Sequence, residues 1–350
     1  MSIEVDIEKK LGNFLLRSRF DAGDEVLSLL GESGCGKSMT LKCIAGIERP
    51  DRGRIILDGR ILFDSEKHID LSPQKRRTGL LFQNYALFQN MTVRQNIYAG
   101  TARISETAER QKRTDEIMRS FGIEDISDKY PSQLSGGEQQ RTALARVLVS
   151  EPDCLLLDEP FSALDSGIRL KLEAEMRNTL RDFGKTCIIV SHDRDEVYRL
   201  SDRVAVMGSG YIDSIGAKEQ IFHAPETRAA AEIIGCDNIS KIRKTGERHV
   251  FALDWGTELR VDRDPEGYGY VGIRAKDIRL VNDRSTSMDN LMECDIEGMV
   301  ENPFSVTIRV LSEAKSGLPL TVEISSEEYS RINGGKVQIE LPPERLLLLK

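Results

Sequence analysis

The sequence predicts an α/β domain built on a parallel sheet, followed by a small all-β domain. Two observations carry that reading. Up to about residue 235, continuous apolar runs bounded by turn residues alternate with stretches of helical spacing. After about residue 238 the apolar period drops to two. The length agrees, since 350 residues makes about two domains at roughly 150 residues each.

The apolar runs Val26–Leu30, Gly79–Phe82, Cys154–Leu157, Cys187–Val190 and Val204–Met207 read as strands buried on both faces. A strand covered by helices above and below has no need of polar alternation. Between two of these runs, Ile168, Leu172, Met176 and Leu180 recur every four residues, and Gly184 is placed to end that helix. Residues 90–135 are rich in charge and helix formers, so they read as a helical insertion. In the last third, Val306, Ile308 and Val310 alternate with polar residues. So do Leu320, Val322 and Ile324, and then Val337, Ile339 and Leu341. Short alternating strands between Gly, Pro and Asn turns predict a small β-barrel or sandwich. Residues 224–240 read as the linker, which gives domains at 1–235 and 236–350.

Composition excludes several classes. The chain is 39% hydrophobic and 30% charged, as expected of a soluble globular protein, with a net charge of −8. That charge argues against coating nucleic acid, which needs a basic surface, but leaves room for a small local anion site. No apolar run approaches the roughly 18 residues of a membrane span. The opening MSIEVDIEKK has no apolar signal core, so secretion is not expected. Cys35, Cys43, Cys154, Cys187, Cys236 and Cys294 form no CxxC pair, which disfavours a zinc site or a redox dithiol. Their apolar neighbours suggest buried thiols in a reducing cytosol.

Three motifs carry chemistry. The first is Gly31, Glu32, Ser33, Gly34, Cys35, Gly36, Lys37, Ser38, lying between the strand Val26–Leu30 and a helical stretch over Ser38–Ile47. That is the context of a P-loop. The glycines let backbone N–H groups face phosphates, and the helix N-terminus favours negative charge. Lys37 would reach the β- and γ-phosphates, and Ser38 would hold Mg²⁺. Cys35 reads as a small loop residue and not as a nucleophile. The second motif ends the run from Cys154 with Asp158 and Glu159. Asp158 at the strand tip can hold Mg²⁺ through a water, and Glu159 can polarise the water that attacks the γ-phosphate. The third is Leu134, Ser135, Gly136, Gly137, Glu138. Ser135 and Glu138 have the spacing of a capping box, with Ala143, Leu144, Val147 and Leu148 on the apolar face of the helix they open. The same helix start, with Ser135 and the N–H groups of Gly136 and Gly137, would make a second phosphate cradle.

One chain with one nucleotide and two cradles resembles the ABC ATPase family, in which LSGGE is the signature motif. The resemblance implies a RecA-like P-loop ATPase core with a helical subdomain, using ATP and Mg²⁺. It also implies a head-to-tail homodimer in which each signature faces the partner's ATP. By the same likeness Gln83 resembles the Q-loop glutamine that senses Mg²⁺ and water, and Asp165 the D-loop aspartate that contacts the opposite subunit. His192 resembles the switch histidine, which can bond the γ-phosphate and hold Glu159. The family stacks adenine on an aromatic residue upstream of the P-loop. Phe14 is the nearby candidate, and a core-facing Phe14 is an equal alternative. Tyr85, Leu87, Phe88, Met91 and Val93 form an apolar stretch that would suit a partner surface if exposed, or the helical subdomain's own core. In the family this region adjoins the groove that receives a membrane subunit.

The last third narrows the resemblance to importer ATPases of the molybdate, sulfate, maltose and polyamine groups. Gly272–Leu280, Gly-Ile-Arg-Ala-Lys-Asp-Ile-Arg-Leu, is similar to a recurring segment of their β-rich extension. The molybdate/tungstate group resembles the chain most, through Leu11–Phe14, Leu71–Arg77 and Ser285–Asn290. It implies an oligonucleotide-binding-like, Mop-type barrel that can bind oxyanion and restrain the ATPase, with Ser285, Thr286, Ser287 and Lys315 as candidate donors. Transmembrane permease subunits and, indirectly, a solute-binding protein are the implied partners, with the chain peripheral on the cytoplasmic face of the membrane. Two rivals stand beside this. An ABC ATPase acting on ribosomes or DNA usually has two cassettes or a long coiled-coil insertion, and the sequence shows neither. An oxyanion sensor would not need the full set Lys37, Ser38, Asp158, Glu159 and His192.

Overall fold

A computed structural model describes residues 2–162, 166–281, 289–312, 317–332 and 334–350, without the side chains of Ser166 and Ile168. The chain forms two compact units, Met1–Lys218 and Glu219–Lys350.

The first unit opens with β1 (Ile3–Leu11), β2 (Phe14–Ala22) and β3 (Val26–Leu30). Helix α1 (Lys37–Ala45), β4 (Arg52–Leu57), β5 (Arg60–Asp64), β6 (Ile69–Asp70), the short α2 (Pro73–Arg76) and β7 (Thr78–Leu81) come next. Helices α3 (Val93–Gly100), α4 (Thr107–Ser120) and α5 (Gly136–Leu148) then precede β8 (Cys154–Asp158). The unit finishes with α6 (Ser166–Phe183), β9 (Cys187–Ser191), α7 (Arg194–Leu200), β10 (Arg203–Met207) and β11 (Ile212–Ala217).

All five predicted apolar strands lie in one sheet of order β11-β10-β3-β9-β8-β7. Every pairing in it except β10 with β11 is parallel. Cys154, Leu155, Leu156, Leu157, Ile188 and Val190 are fully buried, which explains their continuous apolar sequence. In α6, Leu172, Met176 and Leu180 are buried, and Gly184 ends the helix at φ +60° with its N–H on the Leu180 carbonyl. Ile168, the first residue of that predicted stripe, lies outside the described side chains.

A second sheet was not expected. Its antiparallel order is β2-β1-β4-β5-β6, with strands on either side of β3 and α1 within the first seventy residues. Its strands alternate in burial, with Ile3, Val5 and Ile7 inside and Glu4 and Asp6 outside. The outward charges break up the continuous apolar runs that mark the parallel strands. Its inner face shares a core with Leu27 and Leu29 of β3 and Leu41 and Ile44 of α1. The helical insertion expected at about 90–135 holds α3 and α4, whose core of Val93, Ile97, Met118, Ile123 and Leu134 packs with Ala145 of α5 and Val149 at its end.

The second unit opens with α8 (Lys218–His223), whose first residue closes the first unit, and α9 (Arg228–Ile233), the latter lying within the stretch read as a linker. Its strands are β12 (Asn238–Gly246), β13 (His249–Ala252), β14 (Thr257–Arg260), β15 (Tyr270–Ile273), β16 (Arg279–Leu280) and β17 (Leu291–Glu301). They continue with β18 (Ser305–Ser312), β19 (Leu320–Ser325), β20 (Lys336–Glu340) and β21 (Leu347–Leu349). They form two five-stranded antiparallel sheets, β14-β13-β12-β15-β21 and β16-β20-β17-β18-β19. One apolar core joins Val250, Leu259 and Val271 of the first to Ile308, Val310 and Ile339 of the second. The predicted alternation is met: Val306, Leu320, Val322, Ile324 and Leu341 are buried too, with Val337 half-buried. Asn238 stitches the sheets by accepting from the Thr321 N–H at 2.7 Å and donating to the Thr321 carbonyl at 2.8 Å. The candidate donors Ser285, Thr286, Ser287 and Lys315 lie outside the described residues.

All six thiols are free and buried. Burial pushes Cys43 up to about 11 and Cys236 to about 12, so neither is a thiolate at neutral pH. Among the described residues no helix is long and apolar enough to cross a membrane.

Arg76 is the largest fully buried side chain. Its guanidinium donates to the carbonyls of Leu71 at 2.7 Å, Cys43 at 2.7 Å and Ile44 at 3.0 Å, and to Asp70 at 2.8 Å. It thereby closes the C-terminal end of α1. Burial lowers its pKa and the Asp70 bond opposes that. Arg76→Ala strips the guanidinium donor from the Leu71 and Ile44 carbonyls and leaves the Cys43 carbonyl only the Gly46 N–H at 3.3 Å. It should cost about 3–5 kcal/mol in urea unfolding, against under about 1 kcal/mol for an exposed arginine.

Candidate functional site

The predicted chemical residues meet at one edge of the parallel sheet. The registers pair Leu30 with Ser191, Val190 with Asp158 and Leu157 with Leu81. The C-terminal ends of β3, β9, β8 and β7 therefore lie side by side, where ligands bind in sheets of this kind.

After β3 the chain turns tightly. A Cβ on Gly31 would stand 2.3 Å from the Met207 carbonyl oxygen, so only glycine fits there. Gly36 has φ +109°, a left-handed conformation that glycine adopts without strain, and caps α1. Glu32, Ser33 and Gly34 are exposed, whereas Cys35 is buried. Lys37 is buried, and its Nζ donates to the Gly31 carbonyl at 2.7 Å and the Glu32 carbonyl at 2.8 Å. The ammonium is thus folded over its own loop at a helix N-terminus, where anions are favoured.

Ser38 Oγ donates to Asp158 Oδ1 at 2.6 Å. Burial raises the Asp158 pKa, opposed by the Ser38 bond. The next residue, Glu159, holds φ +46°, and its N–H is fixed on the Val190 carbonyl at 2.9 Å. Its carboxylate is gripped from both sides. Gln83 Nε2 donates to Oε2 at 3.2 Å, and His192 Nδ1 lies 3.3 Å from Oε1. Hydroxyl, carboxylate and amide oxygens from Ser38, Asp158 and Gln83 are a donor set suited to a hard divalent cation.

Ser135, Gly136 and Gly137 stand apart from this group, with no hydrogen bond to it among the described residues. Ser135 caps α5, and Glu138 Oε2 accepts from the Ser135 N–H at 2.7 Å and its hydroxyl at 2.8 Å. The capping box is therefore formed. Ala143, Leu144 and Val147 are buried beneath that helix and Leu148 is half-buried. Phe14 is half-buried beside the loop, packed with Leu16, Cys35 and Met207. Asp165 lies outside the described residues. The apolar stretch divides: Tyr85, Leu87 and Val93 are buried, so they are core and not partner surface, while Phe88 is 47% exposed and Met91 half-buried.

Supporting contacts made by three residues were not anticipated. Tyr85 Oη and Gln140 Nε2 both donate to the Pro160 carbonyl at 3.2 Å, tying Gln83's loop and α5 to the residue after Glu159. Arg146 donates to the carbonyls of Ala86 at 2.8 Å and Tyr85 at 3.0 Å, two consecutive residues with positive φ. The run Gln139-Gln140-Arg141 and the polar Arg146 amid apolar neighbours were visible, but not what they face.

Comparison with known proteins agrees with this geometry. The ABC transporter family profile matches residues 20–162. The sulfate/thiosulfate import ATP-binding protein CysA 2 of Chromobacterium violaceum is 38% identical over 327 residues, 92% of this chain and 87% of the relative. The chain belongs to the ABC transporter family, as an importer-type ATP-binding subunit. The spermidine/putrescine import ATP-binding protein PotA of Bacillus cereus is 40% identical over 263 residues, 74% of this chain and 78% of the relative. The sn-glycerol-3-phosphate import ATP-binding protein UgpC 1 of Rhizobium johnstonii is 33% identical over 324 residues, 87% and 85% of the two chains. Among solved structures, the dimeric post-hydrolysis ATP-binding cassette MJ0796 with ADP and Pi matches 62% of this chain and 99% of its own. The TM-score is 0.53 at 26% identity. As an ABC ATPase the chain hydrolyses ATP to drive import.

The buried Asp158 gives a testable consequence. Its folded-state pKa lies above the unfolded value, so the native state holds its proton longer. Stability is then lost as pH rises from the unfolded pKa through the folded one, and the loss persists at pH 7. Asp158→Asn removes this cost. The ligand-free melting temperature at pH 7 should rise, and the difference from wild type should close as pH falls below the unfolded carboxylate range.

Proposed function

We propose that Glu159 is the group that activates water for ATP hydrolysis, and that the chain works as a homodimer beneath two permease subunits. The observation that carries this is the grip on Glu159 by Gln83 and His192, beside the Ser38–Asp158 pair. Lys37 and the N–H groups of Gly31–Ser38 bind the phosphates. Gln83 and His192 orient the Glu159 carboxylate, which accepts the proton of the attacking water. Ser38, Asp158 and Gln83 would hold Mg²⁺, which would neutralise phosphate charge when bound. Phe14 is the proposed adenine contact, supported by its half-exposed place beside Gly36.

Ser135, Gly136 and Gly137, outside this cluster, are proposed to cradle the γ-phosphate of a second copy's ATP, with Asp165 contacting that copy. The dimeric state of MJ0796 supports the reading. A groove of about 690 Å³, lined by Met91, Arg94, Tyr98, Gln111 and Asp115, is the proposed permease contact on the cytoplasmic side. A solute-binding protein would act indirectly. Functionally, residues 1–235 are the motor with its helical subdomain at about 90–135, and 236–350 a regulatory barrel.

For the solute, an oxyanion is the preferred class, with molybdate the first candidate from the motif likeness. The long match to a sulfate/thiosulfate relative supports the class. The polyamine and glycerol-phosphate relatives favour a second reading, import of another solute.

Glu159→Gln should lower ATP turnover by about 10²-fold or more and hold the closed, ATP-bound dimer in size-exclusion chromatography. Normal turnover in that variant would refute the assignment. Calorimetry of the full chain, titrated with molybdate, tungstate and sulfate, should show selective oxyanion binding; no heat with any of the three would remove the oxyanion-regulated barrel.

A further inference from the structure

Glu196 is a carboxyl that the proposed mechanism does not use. It lies on α7, one turn beyond His192, and is only 3% exposed. Its carboxyl shares a hydrogen bond with the Ser191 side chain, and its Oε1 has no partner among the described residues. The Ser191 hydroxyl also accepts from the Asp193 N–H at 3.0 Å. Asp193 in turn caps α7, its Oδ1 accepting from the N–H groups of Asp195 and Glu196 at 3.0 Å each. Its Oδ2 accepts from Arg169 of α6 at 2.8 Å. The residues on both sides of His192 are therefore tied to Glu196. Ser191 is tied through the carboxyl, and Asp193 through the helix cap. His192 itself is half-exposed and reaches Glu159.

We propose that Glu196 is a positioning residue for ATP turnover: through Ser191 and the Asp193 cap it fixes the backbone that aims His192 at Glu159. This rests on the role proposed for His192. The groups around the carboxyl explain how it acts. Ser191 faces it from β9, Asp193 from the start of its own helix, and Glu173 and Arg169 from α6. Glu173 is already taken by Arg199. Burial pushes the Glu196 carboxyl up to about 8, so it is mostly neutral at pH 7. Above that value a negative charge would face Asp193 and Glu173. Its available counter-charge is Arg169, whose Nε is also buried and unpaired among the described residues. Ionisation therefore draws Arg169 away from Asp193 and loosens the cap that holds His192. The folded-state pKa is raised, so the neutral carboxyl's contribution is complete below the unfolded pKa and is lost as pH rises through about 8.

Steady-state ATPase kinetics of the full chain at pH 7 and pH 9 test this with Glu196→Gln, Glu196→Ala and His192→Ala. Glutamine is neutral and of the same shape. Glu196→Gln should keep kcat within about 2-fold of wild type at pH 7 and lose the wild-type decline toward pH 9. Glu196→Ala should lower kcat about 10-fold with KM for ATP changed under about 2-fold. A Glu196→Gln chain that declines with pH as wild type does, or a Glu196→Ala chain with wild-type kcat, overturns the proposal. If Glu196→Ala does not fold, the glutamine pH profile alone decides. His192→Ala with full turnover defeats the underlying histidine reading, whereas an inactive His192→Ala beside an active Glu196→Ala defeats only the role of Glu196.

Discussion

The parallel register of β3, β9, β8 and β7 is the constraint on which the site depends. The proposed chemical groups come from four separate stretches of the chain. Lys37 and Ser38 follow β3, Gln83 follows β7, Asp158 and Glu159 end β8, and His192 follows β9. Pairing Leu30 with Ser191 and Asp158 with Val190 brings them within hydrogen-bond reach. In a parallel sheet buried on both faces, a slip of one residue would turn inward-facing apolar side chains to the opposite face and separate the loops together. Core packing thus sets the geometry of the chemistry. The covering antiparallel sheet and α1 complete that core, and Arg76 closes the end of α1 from within.

Around this frame the loops are held by carbonyl contacts and strain more than by helices. Glu159 keeps a positive φ because its N–H is fixed on Val190 and its carboxylate is held by two neighbours. The Pro160 carbonyl gathers Tyr85 and Gln140, so the glutamine loop and the signature helix meet one residue from the proposed base. Movement of any of these loops should be felt at Glu159, which is the behaviour needed of a motor whose hydrolysis follows assembly.

The sequence disclosed the parallel sheet and its loops because the signals there are local. Five apolar runs, a glycine-rich turn and two adjacent carboxylates need no tertiary knowledge. The antiparallel sheet within the first seventy residues was missed because Glu4 and Asp6 alternate with Ile3, Val5 and Ile7, a weaker signal than a continuous apolar run. The apolar stretch from Tyr85 to Val93 could not be divided into core and surface without coordinates, since exposure depends on Arg146 and α5. Roles for Tyr85, Gln140 and Arg146 were hidden for the same reason, since each acts on a backbone carbonyl distant in sequence. Glu196 is near Ser191 in sequence, but its burial is not visible there. The alternating strands of the second unit were legible, whereas a bound solute is a property of side-chain placement that periodicity does not encode.

On the proposed reading, the strand ends hold one half of a catalyst and the Ser135–Gly137 helix start serves a second copy. The most direct measurement is a structure of the full chain carrying Glu159→Gln, grown with ATP and Mg²⁺. The account predicts two chains head to tail, each γ-phosphate between Lys37 of one chain and Ser135 of the other. ATP held by a single chain, with its Ser135–Glu138 box open to solvent, would contradict it.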